Sequence, residues 1–191
     1  MGYFGDLVKP VKILEWLCDK VVLMDENIFP RPLPFNVIAS PLLGGYFYNE
    51  LIAEIDNCRT SLYSVQYQWK WNVHERFSKV QCLGAAIIRA KARSVSVKVI
   101  LNKEGVNRNI TKINRVAGDA LANAGCEVKL IKTATLLHTK LWIFDNAKTF
   151  IGSHNVSGRS LTINEEVSVK IESADFASYM INYFDTLWSS A

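Results

Sequence analysis

From residue 46 onward, segments with the helical spacing of apolar residues alternate with short apolar runs typical of strands, and this order constrains the fold more than any other feature. Strands that alternate with helices favour an α/β sandwich, in which helices flank a mixed β-sheet. With 191 residues, 49% of them hydrophobic, the chain is long enough for one such domain. The helical pattern covers residues 46–58, 77–93, 109–124 and 174–188, and the strand pattern covers 61–69, 96–101, 127–131, 137–144, 150–152 and 167–171.

The first 45 residues have a different pattern, so we predict an N-terminal appendage at 1–45 and a catalytic domain at 46–191. Residues 6–24 have the apolar spacing of an amphipathic helix, whose apolar face could cover the domain, a twin chain or a membrane surface. We favour the first two, because its lysines do not form the dense basic face of a membrane-surface helix. Residues 25–45 hold four of the five prolines and form an extended or turning connector, with a short strand predicted at 35–40.

Two predicted strands in the C-terminal half would bring four polar side chains together. In the first, at 136–144, successive side chains alternate between the two faces, so His138 and Lys140 should point the same way. The second strand leads directly to Ser153 and Asn155, which are again two residues apart. If the two strands pair, an imidazole, an ammonium, a hydroxyl and an amide converge on one pocket.

These four groups are the ones that a phosphodiester needs when no metal is present. An imidazole is both a nucleophile and a proton carrier near neutral pH. A lysine and an asparagine can hold the non-bridging phosphate oxygens. The sequence has no P-loop and no glycine-rich dinucleotide motif, and its cysteines lack the close pairing typical of zinc sites. We therefore predict a phosphoryl-transfer site that uses neither a metal nor a cofactor.

Between residues 138 and 155 the sequence reads H-x-K-x(4)-D-x(6)-G-S-x-N, and an Asn-x-Glu follows at Asn164 and Glu166. This spacing resembles the HKD motif of the phospholipase D superfamily. The single motif and the chain size look most like the small bacterial endonucleases of that superfamily, and the resemblance covers about residues 46–191. It implies a phospholipase D-like α-β-α sandwich with a mixed sheet. The fixed positions of the motif are His138, Lys140, Asp145, Gly152, Ser153 and Asn155.

The resemblance implies a role for each residue that would carry the chemistry. His138 attacks phosphorus and forms a covalent phosphohistidine. Lys140 and Asn155 bind the phosphate oxygens, and Ser153 helps to place the phosphate or the imidazole ring. Glu166 accepts a hydrogen bond from the other ring nitrogen of the nucleophile and fixes its tautomer.

Asp145 receives a structural prediction despite its place in the motif. It lies seven residues beyond His138 on the same predicted strand, on the opposite face and about 23 Å of extended chain away. We expect it to hold a loop or to cap backbone amides, and we leave it out of the chemical set. Gly152 is expected to allow a tight turn or a close approach to the ligand. His154 should point away from its two neighbours in the motif.

One motif provides one histidine, whereas the superfamily uses two, one to attack and one to protonate the leaving oxygen. The chain is too short for a second unit of similar size. The resemblance therefore implies a homodimer, with one active site shared at the two-fold interface. The expected activity is that of a metal-independent phosphodiesterase. Among such enzymes we favour a nuclease that hydrolyses DNA or RNA.

Basic and aromatic residues elsewhere are candidates for binding a nucleic acid substrate. The net charge of +4 is a mild excess that is compatible with a polyanionic partner. Cations around residues 102–110 could line a phosphate-tracking groove, with a solvated surface as the alternative. Trp71 ends an alternating aromatic segment and could stack on a base, although core packing would account for most of these rings. The predicted substrate-binding residues are Lys103, Arg108, Trp71 and Arg159.

Two other functions remain open. One is a phospholipase D or phosphatidyltransferase that acts on lipid phosphodiesters, with the N-terminal helix contacting the lipid surface. The other is a nucleic-acid-binding subunit whose site is unused. We expect no membrane span, because no run of 18 apolar residues occurs. We also expect a cytoplasmic protein, since the N-terminus lacks a signal-peptide pattern. The even number of cysteines is compatible with disulfides, but we favour reduced thiols for the four widely spaced residues Cys18, Cys58, Cys82 and Cys126.

Overall fold

The computed structural model describes residues 34–72, 74–75, 77–104 and 108–190, and for Arg108 it describes the backbone only. The helix predicted at 6–24, Cys18 and the connector up to residue 33 lie outside these residues. The described elements, in chain order, are β1 Ile38–Leu43, α1 Gly45–Asn57, β2 Ser61–Gln66, α2 Lys79–Ala92, β3 Ser96–Asn102, α3 Arg108–Asn123, β4 Glu127–Ile131, β5 Lys140–Phe144, β6 Lys148–Gly152, β7 Val167–Glu172 and α4 Ala174–Ser189.

The seven described strands form one mixed sheet in the order β1-β7-β6-β5-β2-β3-β4. Strands β2, β3 and β4 run parallel, with α2 and α3 as their crossovers, and the remaining neighbours pair antiparallel. These directions place the C-terminal ends of β2, β3, β4 and β6 at the same edge as the N-terminal ends of β5 and β7. Loops that leave this edge can therefore contribute to one site.

Alternation along β5 shows how the sheet separates two cores. Trp142 and Phe144 belong to the core on one face, which helices α1, α2 and α3 cover. Leu141 and Ile143 belong to the core on the opposite face, which α4 covers. A strand that buries all its apolar side chains on both faces must lie in the middle of a layered structure. The arrangement confirms the predicted α-β-α sandwich with a mixed sheet.

Local sequence explains where several elements begin and end. The Ser78 hydroxyl accepts a hydrogen bond from the backbone N–H of Gln81 at 3.3 Å and caps the start of α2. Gly125 follows α3 with a φ of +87°, the left-handed conformation that commonly ends a helix. Among the described residues, no helix has the length and apolar character needed to cross a bilayer.

Three strands differ from their predicted bounds by three residues. Strand β1 lies at 38–43 instead of 35–40. It pairs with β7 and is the outermost strand on that side of the sheet. Strand β2 ends at Gln66 instead of residue 69, and Trp69, three residues further on, forms an isolated parallel bridge with Val156. Strand β5 begins at Lys140, so the three residues before it are outside the regular ladder.

Candidate active site

The five residues predicted to carry the chemistry lie on three segments at one edge of the sheet. Lys140 is the first residue of β5, and His138 precedes it. Ser153 follows β6 directly, and Asn155 comes two residues later. Glu166 immediately precedes β7. Because β5 pairs with β6 and β6 pairs with β7, the sheet order makes these three segments neighbours.

The imidazole of His138 is exposed and has the ammonium of Lys140 against it. The Nζ atom of Lys140 lies 3.1 Å from each ring nitrogen and donates to the backbone oxygen of His138 at 2.9 Å. The ring of Tyr67 supports both groups: its centroid is 4.6 Å from that of the imidazole and 5.2 Å from Nζ. Lys140 itself is only 7% exposed. The ammonium is therefore held in a confined place beside an accessible imidazole.

The surroundings lower the pKa of both groups. Burial lowers the pKa of His138 below its ordinary value, and the charge of Lys140 lowers it further. Burial also lowers the pKa of Lys140, an effect that the negative charge of Glu166 partly opposes. The imidazole is therefore mainly neutral near pH 7, which is the form that can act as a nucleophile.

The carboxylate of Glu166 accepts hydrogen bonds from three side chains. Its Oε2 atom accepts from the Ser153 hydroxyl, and its Oε1 atom accepts from Ser160 Oγ at 2.8 Å and from Asn164 Nδ2 at 3.2 Å. Burial alone would raise the pKa of Glu166, but these hydrogen bonds outweigh it and the pKa is lowered. We expected Glu166 to accept a hydrogen bond from His138. Among the described residues, the donors to its carboxylate are instead Ser153, Ser160 and Asn164.

Ser153 and Asn155 differ in how the fold holds them. The Ser153 hydroxyl accepts a hydrogen bond from the Val167 N–H at 3.1 Å in addition to its bond to Glu166, so its position is fixed between β6 and β7. The Oδ1 atom of Asn155 is buried and has no hydrogen-bond partner among the described residues. Buried amide oxygens are usually bonded, so this side chain has capacity for a further contact at the site.

Asp145 lies at the opposite end of β5 from the chemical set. Its carboxylate accepts from the backbone N–H groups of Arg59 at 2.9 Å, Thr60 at 2.7 Å and Ser61 at 3.0 Å, and from the Thr60 hydroxyl at 2.8 Å. Burial would raise the pKa of Asp145, but these bonds lower it. The side chain caps the amides that lead into β2.

Gly152 allows two backbones to approach each other closely. A Cβ atom at this position would overlap the Cα and Oγ atoms of Ser168 and would lie 2.5 Å from the carbonyl oxygen of Val167. The close approach of strand β7 therefore requires glycine at this position. The adjacent His154 is buried: its ring stacks on Phe47 at 4.0 Å and its Nδ1 lies 2.7 Å from Ser168 Oγ.

The four predicted substrate-binding residues have different surroundings. The ring of Trp71 is half-buried and packs so closely against Gly84 that a Cβ atom there would overlap it. Arg159 is exposed on the turn that follows Asn155 and lines a cleft. Lys103 is exposed just after β3, at the same edge of the sheet. The side chain of Arg108 is not described.

Three residues near the site were missed in the sequence. Tyr67 falls within the strand pattern at 61–69, which gives no indication that its ring contacts His138. Asn114 is buried on α3 and bonds to the Trp69 N–H at 2.8 Å and the Tyr67 carbonyl at 2.9 Å, which fixes the segment after β2. Ser160 lies in a polar loop six residues before Glu166, where only the proximity to the motif could have suggested it.

Cys58, Cys82 and Cys126 are free thiols, and Cys18 lies outside the described part. Within the described ranges, no group of three or more His, Cys, Asp or Glu side chains is arranged to hold a metal ion.

Comparison with known proteins identifies the family. The family described as "Cardiolipin synthase, PLD-like domain" matches residues 51–188, which is well over half of the chain. The chain belongs to the phospholipase D superfamily.

Relatives of this superfamily member include enzymes with different names. A phospholipase D of Rickettsia bellii is 30% identical over 131 residues, which cover 68% of this chain and 58% of the relative. The virion nicking-joining enzyme of Monkeypox virus is 33% identical over 107 residues, covering 53% of this chain and 24% of the relative. The chain thus spans less than two thirds of the length of either protein.

A solved structure shows the same fold over most of the chain. The phospholipase D family member Nuc from Salmonella typhimurium superposes with a TM-score of 0.66 at 22% identity. The match covers 80% of this chain and 95% of Nuc.

Proposed function

We propose that this protein is a metal-independent phosphodiesterase, and that its substrate is a nucleic acid, DNA or RNA. One observation carries the proposal: an exposed imidazole with a lowered pKa, His138, lies against the ammonium of Lys140. Ser153, Asn155 and Glu166 leave the same edge of the sheet on neighbouring segments. A nucleophile beside fixed cationic and amide groups suits attack on an anionic phosphodiester.

The reaction proceeds in two displacements. In the first, the free ring nitrogen of His138 forms a bond to phosphorus, the bond from phosphorus to the leaving oxygen breaks, and that oxygen takes a proton from a second imidazolium. In the second, a water molecule attacks phosphorus, its proton passes to the second imidazole, and the phosphorus–nitrogen bond breaks. Lys140 and Asn155 hold the non-bridging oxygens throughout. The lowered pKa of His138 supports its role as the attacking ring.

The second imidazole comes from a second copy of the chain, in a homodimer with a shared site. Exposed apolar side chains around the site support this assembly. Leu136, two residues before His138, is 59% exposed, and Ile163 and Val167 on either side of Glu166 are 67% and 57% exposed. Apolar side chains that surround a site in this way are suited to burial against another protein surface. A two-fold axis through the site would bring the same patch from each copy together.

The proposal is tested by cleavage in excess chelator. The wild-type protein is expected to cut single- or double-stranded DNA or RNA in EDTA and to form a base-stable, acid-labile phosphoprotein. His138→Ala should reduce cleavage about 10³-fold, within the usual range for a nucleophile or proton-transfer group. His74→Ala is the matched control, because His74 is an exposed histidine outside the site.

Two results would count against the proposal: full loss of cleavage on chelation, or full cleavage by His138→Ala. A lipid phosphodiester is the alternative substrate, which the family description and the Rickettsia relative both favour by name. Release of the headgroup from phosphatidylglycerol vesicles, measured beside oligonucleotide cleavage at equal enzyme concentration, decides between the two substrates.

A further inference from the structure

A polar cleft of about 500 Å³ opens next to the candidate active site. We propose that this cleft, lined by Lys70, Asn72, Glu75, Ser157 and Arg159 among others, binds the phosphate group adjacent to the one that is cleaved. The inference rests on the proposed phosphodiesterase function and deepens it, because it names the substrate as a polynucleotide with a charged linkage beside the reactive one. We call this surface the flank cleft.

The two walls of the flank cleft are continuous with the segments that form the site. The first wall is the chain from Gln68 onward, directly after Tyr67, whose ring lies against His138. The second wall begins at Ser157, two residues after Asn155. A nucleic acid strand that presents one phosphate to the His138 imidazole would therefore place the adjacent phosphodiester linkage along these walls.

Backbone hydrogen bonds hold the two walls together. The Lys70 N–H donates to the Val156 carbonyl at 2.7 Å, and the Val156 N–H donates to the Gln68 carbonyl at 3.1 Å. The Arg159 carbonyl accepts from the N–H groups that follow it in the turn, at 2.9 to 3.2 Å. The cleft is thus a preformed feature of the backbone, and its cationic side chains extend from fixed positions.

The charges of the flank cleft suit an anionic ligand. Lys70 and Arg159 are both exposed, and neither takes part in an ion pair among the described residues. By contrast, several other basic side chains are already paired, such as Arg89 with Asp56 and Lys148 with Glu54. The only opposing charge that lines the cleft in the described part is that of Glu75.

These features distinguish a polynucleotide from a simple lipid diester. A phosphodiester with a single phosphate leaves the two cations of the flank cleft without an ionic contact. A polynucleotide places a second anion beside the first, and an arginine binds phosphate oxygens well because its planar donors match their geometry. The cleft should therefore favour substrates in which the linkage next to the cleaved one is charged.

The test uses two oligothymidylates of equal length that differ in one feature. In one, every linkage is a phosphodiester; in the other, the linkages on both sides of one central phosphodiester are neutral methylphosphonates. Wild-type protein should cleave the central linkage of the fully charged strand with a kcat/KM about tenfold higher, the size expected for one charge-assisted contact. In Lys70→Ala and in Arg159→Ala this preference should shrink towards one. Glu75→Gln should increase it.

Lys91→Ala is the matched control, because it removes a half-buried positive charge near the C-terminal end of α2, at the opposite ends of the strands from the candidate site. It should leave the preference as in the wild type. If Lys70→Ala and Arg159→Ala slow both strands equally, or change neither, the flank cleft is not a phosphate site, although cleavage itself upholds the phosphodiesterase. If the wild type cleaves vesicle lipids and no oligonucleotide, the nucleic acid substrate is wrong and the flank-cleft inference is overturned with it.

Discussion

Lys140 and Asp145 belong to the same sequence motif and lie at opposite ends of strand β5, but their hydrogen bonding differs. At the C-terminal end, the Asp145 carboxylate accepts hydrogen bonds from three successive backbone N–H groups and one hydroxyl. At the N-terminal end, the Lys140 ammonium is bonded only to atoms of His138 among the described residues. The Asp145 carboxylate is thus fully hydrogen-bonded within the fold, whereas the Lys140 ammonium can still donate hydrogen bonds to a ligand.

The pKa of Asp145 and the pKa of Lys140 are both lowered, but for opposite reasons. For Asp145, hydrogen bonds overcome the effect of burial, so the charged form is more stable in the fold than in water. For Lys140, burial is the larger effect and Glu166 opposes it only in part, so the charged form is less stable in the fold. An ammonium that the protein leaves incompletely compensated is suited to bind an anion such as a phosphate. One motif therefore combines a structural cap, Asp145, with the residues of the proposed active site, His138 and Lys140.

The largest effect that sharpens this comparison is expected for Lys140→Met. The variant should lose about 10²- to 10³-fold in cleavage rate, as enzymes do when one donor to a developing negative charge is removed. Its free energy of unfolding should be unchanged or higher, because a mostly buried ammonium with a lowered pKa opposes folding at neutral pH. Urea denaturation together with single-turnover cleavage measures both quantities. A clear loss of stability with activity retained would reverse the assignment.

Asp145→Ala should show the opposite pattern. We expect a loss of about 2 kcal/mol in the free energy of unfolding, because three backbone N–H groups lose a charged acceptor at a partly exposed site. The rate per folded molecule should stay close to that of the wild type. Asp56→Ala is the matched control: its surface ion pair with Arg89 should contribute less than about 0.5 kcal/mol.

The contribution of Asp145 also has a defined pH dependence. Its pKa is lower in the folded chain than the ordinary value of 3.8, so the contribution is complete above that value and is lost as the pH falls through the folded-state pKa. The stability difference between the wild type and Asp145→Ala should therefore narrow as the solution is acidified below about pH 4. A difference that stays constant over that range would show that the carboxylate charge contributes little.

The sequence predicted the layers of the fold well because period-two and helical spacing reflect which faces are buried. It placed β4 at its observed bounds, 127–131, and most helix ends within one or two residues. It could not predict contacts made by residues far apart in sequence. The bond from Asn114 to the segment after β2, and the tilted contact of the Tyr67 ring with His138, depend on how α3 and the loops pack.

The candidate site divides in the same way. The spacing of the motif indicated which segments carry the polar groups, and the sheet order β5-β6-β7 makes those segments neighbours. The spacing could not specify hydrogen-bond partners. Glu166 was expected to bond His138, whereas Ser160, which lies outside the motif, bonds the carboxylate at 2.8 Å. Position along a strand is encoded locally, but the contacts of a loop side chain depend on tertiary structure.

The smallest expected effect concerns Tyr67, whose ring lies against the His138 and Lys140 side chains of the proposed active site. Its hydroxyl donates to Glu104 Oε1 at 2.9 Å, while its ring lies against His138. Tyr67→Phe keeps the ring and removes the hydrogen bond, so kcat should fall about threefold, which corresponds to about 0.7 kcal/mol, the lower end of what one hydrogen bond contributes. Tyr67→Ala also removes the ring that buries the imidazole. Because burial is the main cause of the lowered pKa of His138, this second variant should raise that pKa towards 6.5.

Titration by NMR of the His138 ring, assigned by comparison with His138→Asn, separates a positioning residue from one that only stabilises the fold. A purely structural role of Tyr67 would reduce the melting temperature in both variants and leave the pKa of His138 where it is in the wild type. A rise in that pKa in Tyr67→Ala but not in Tyr67→Phe would instead assign the effect to the ring. The end of β5 that carries Lys140 would then depend on an aromatic residue just after β2, whereas the end that carries Asp145 depends on three backbone amides and the Thr60 hydroxyl.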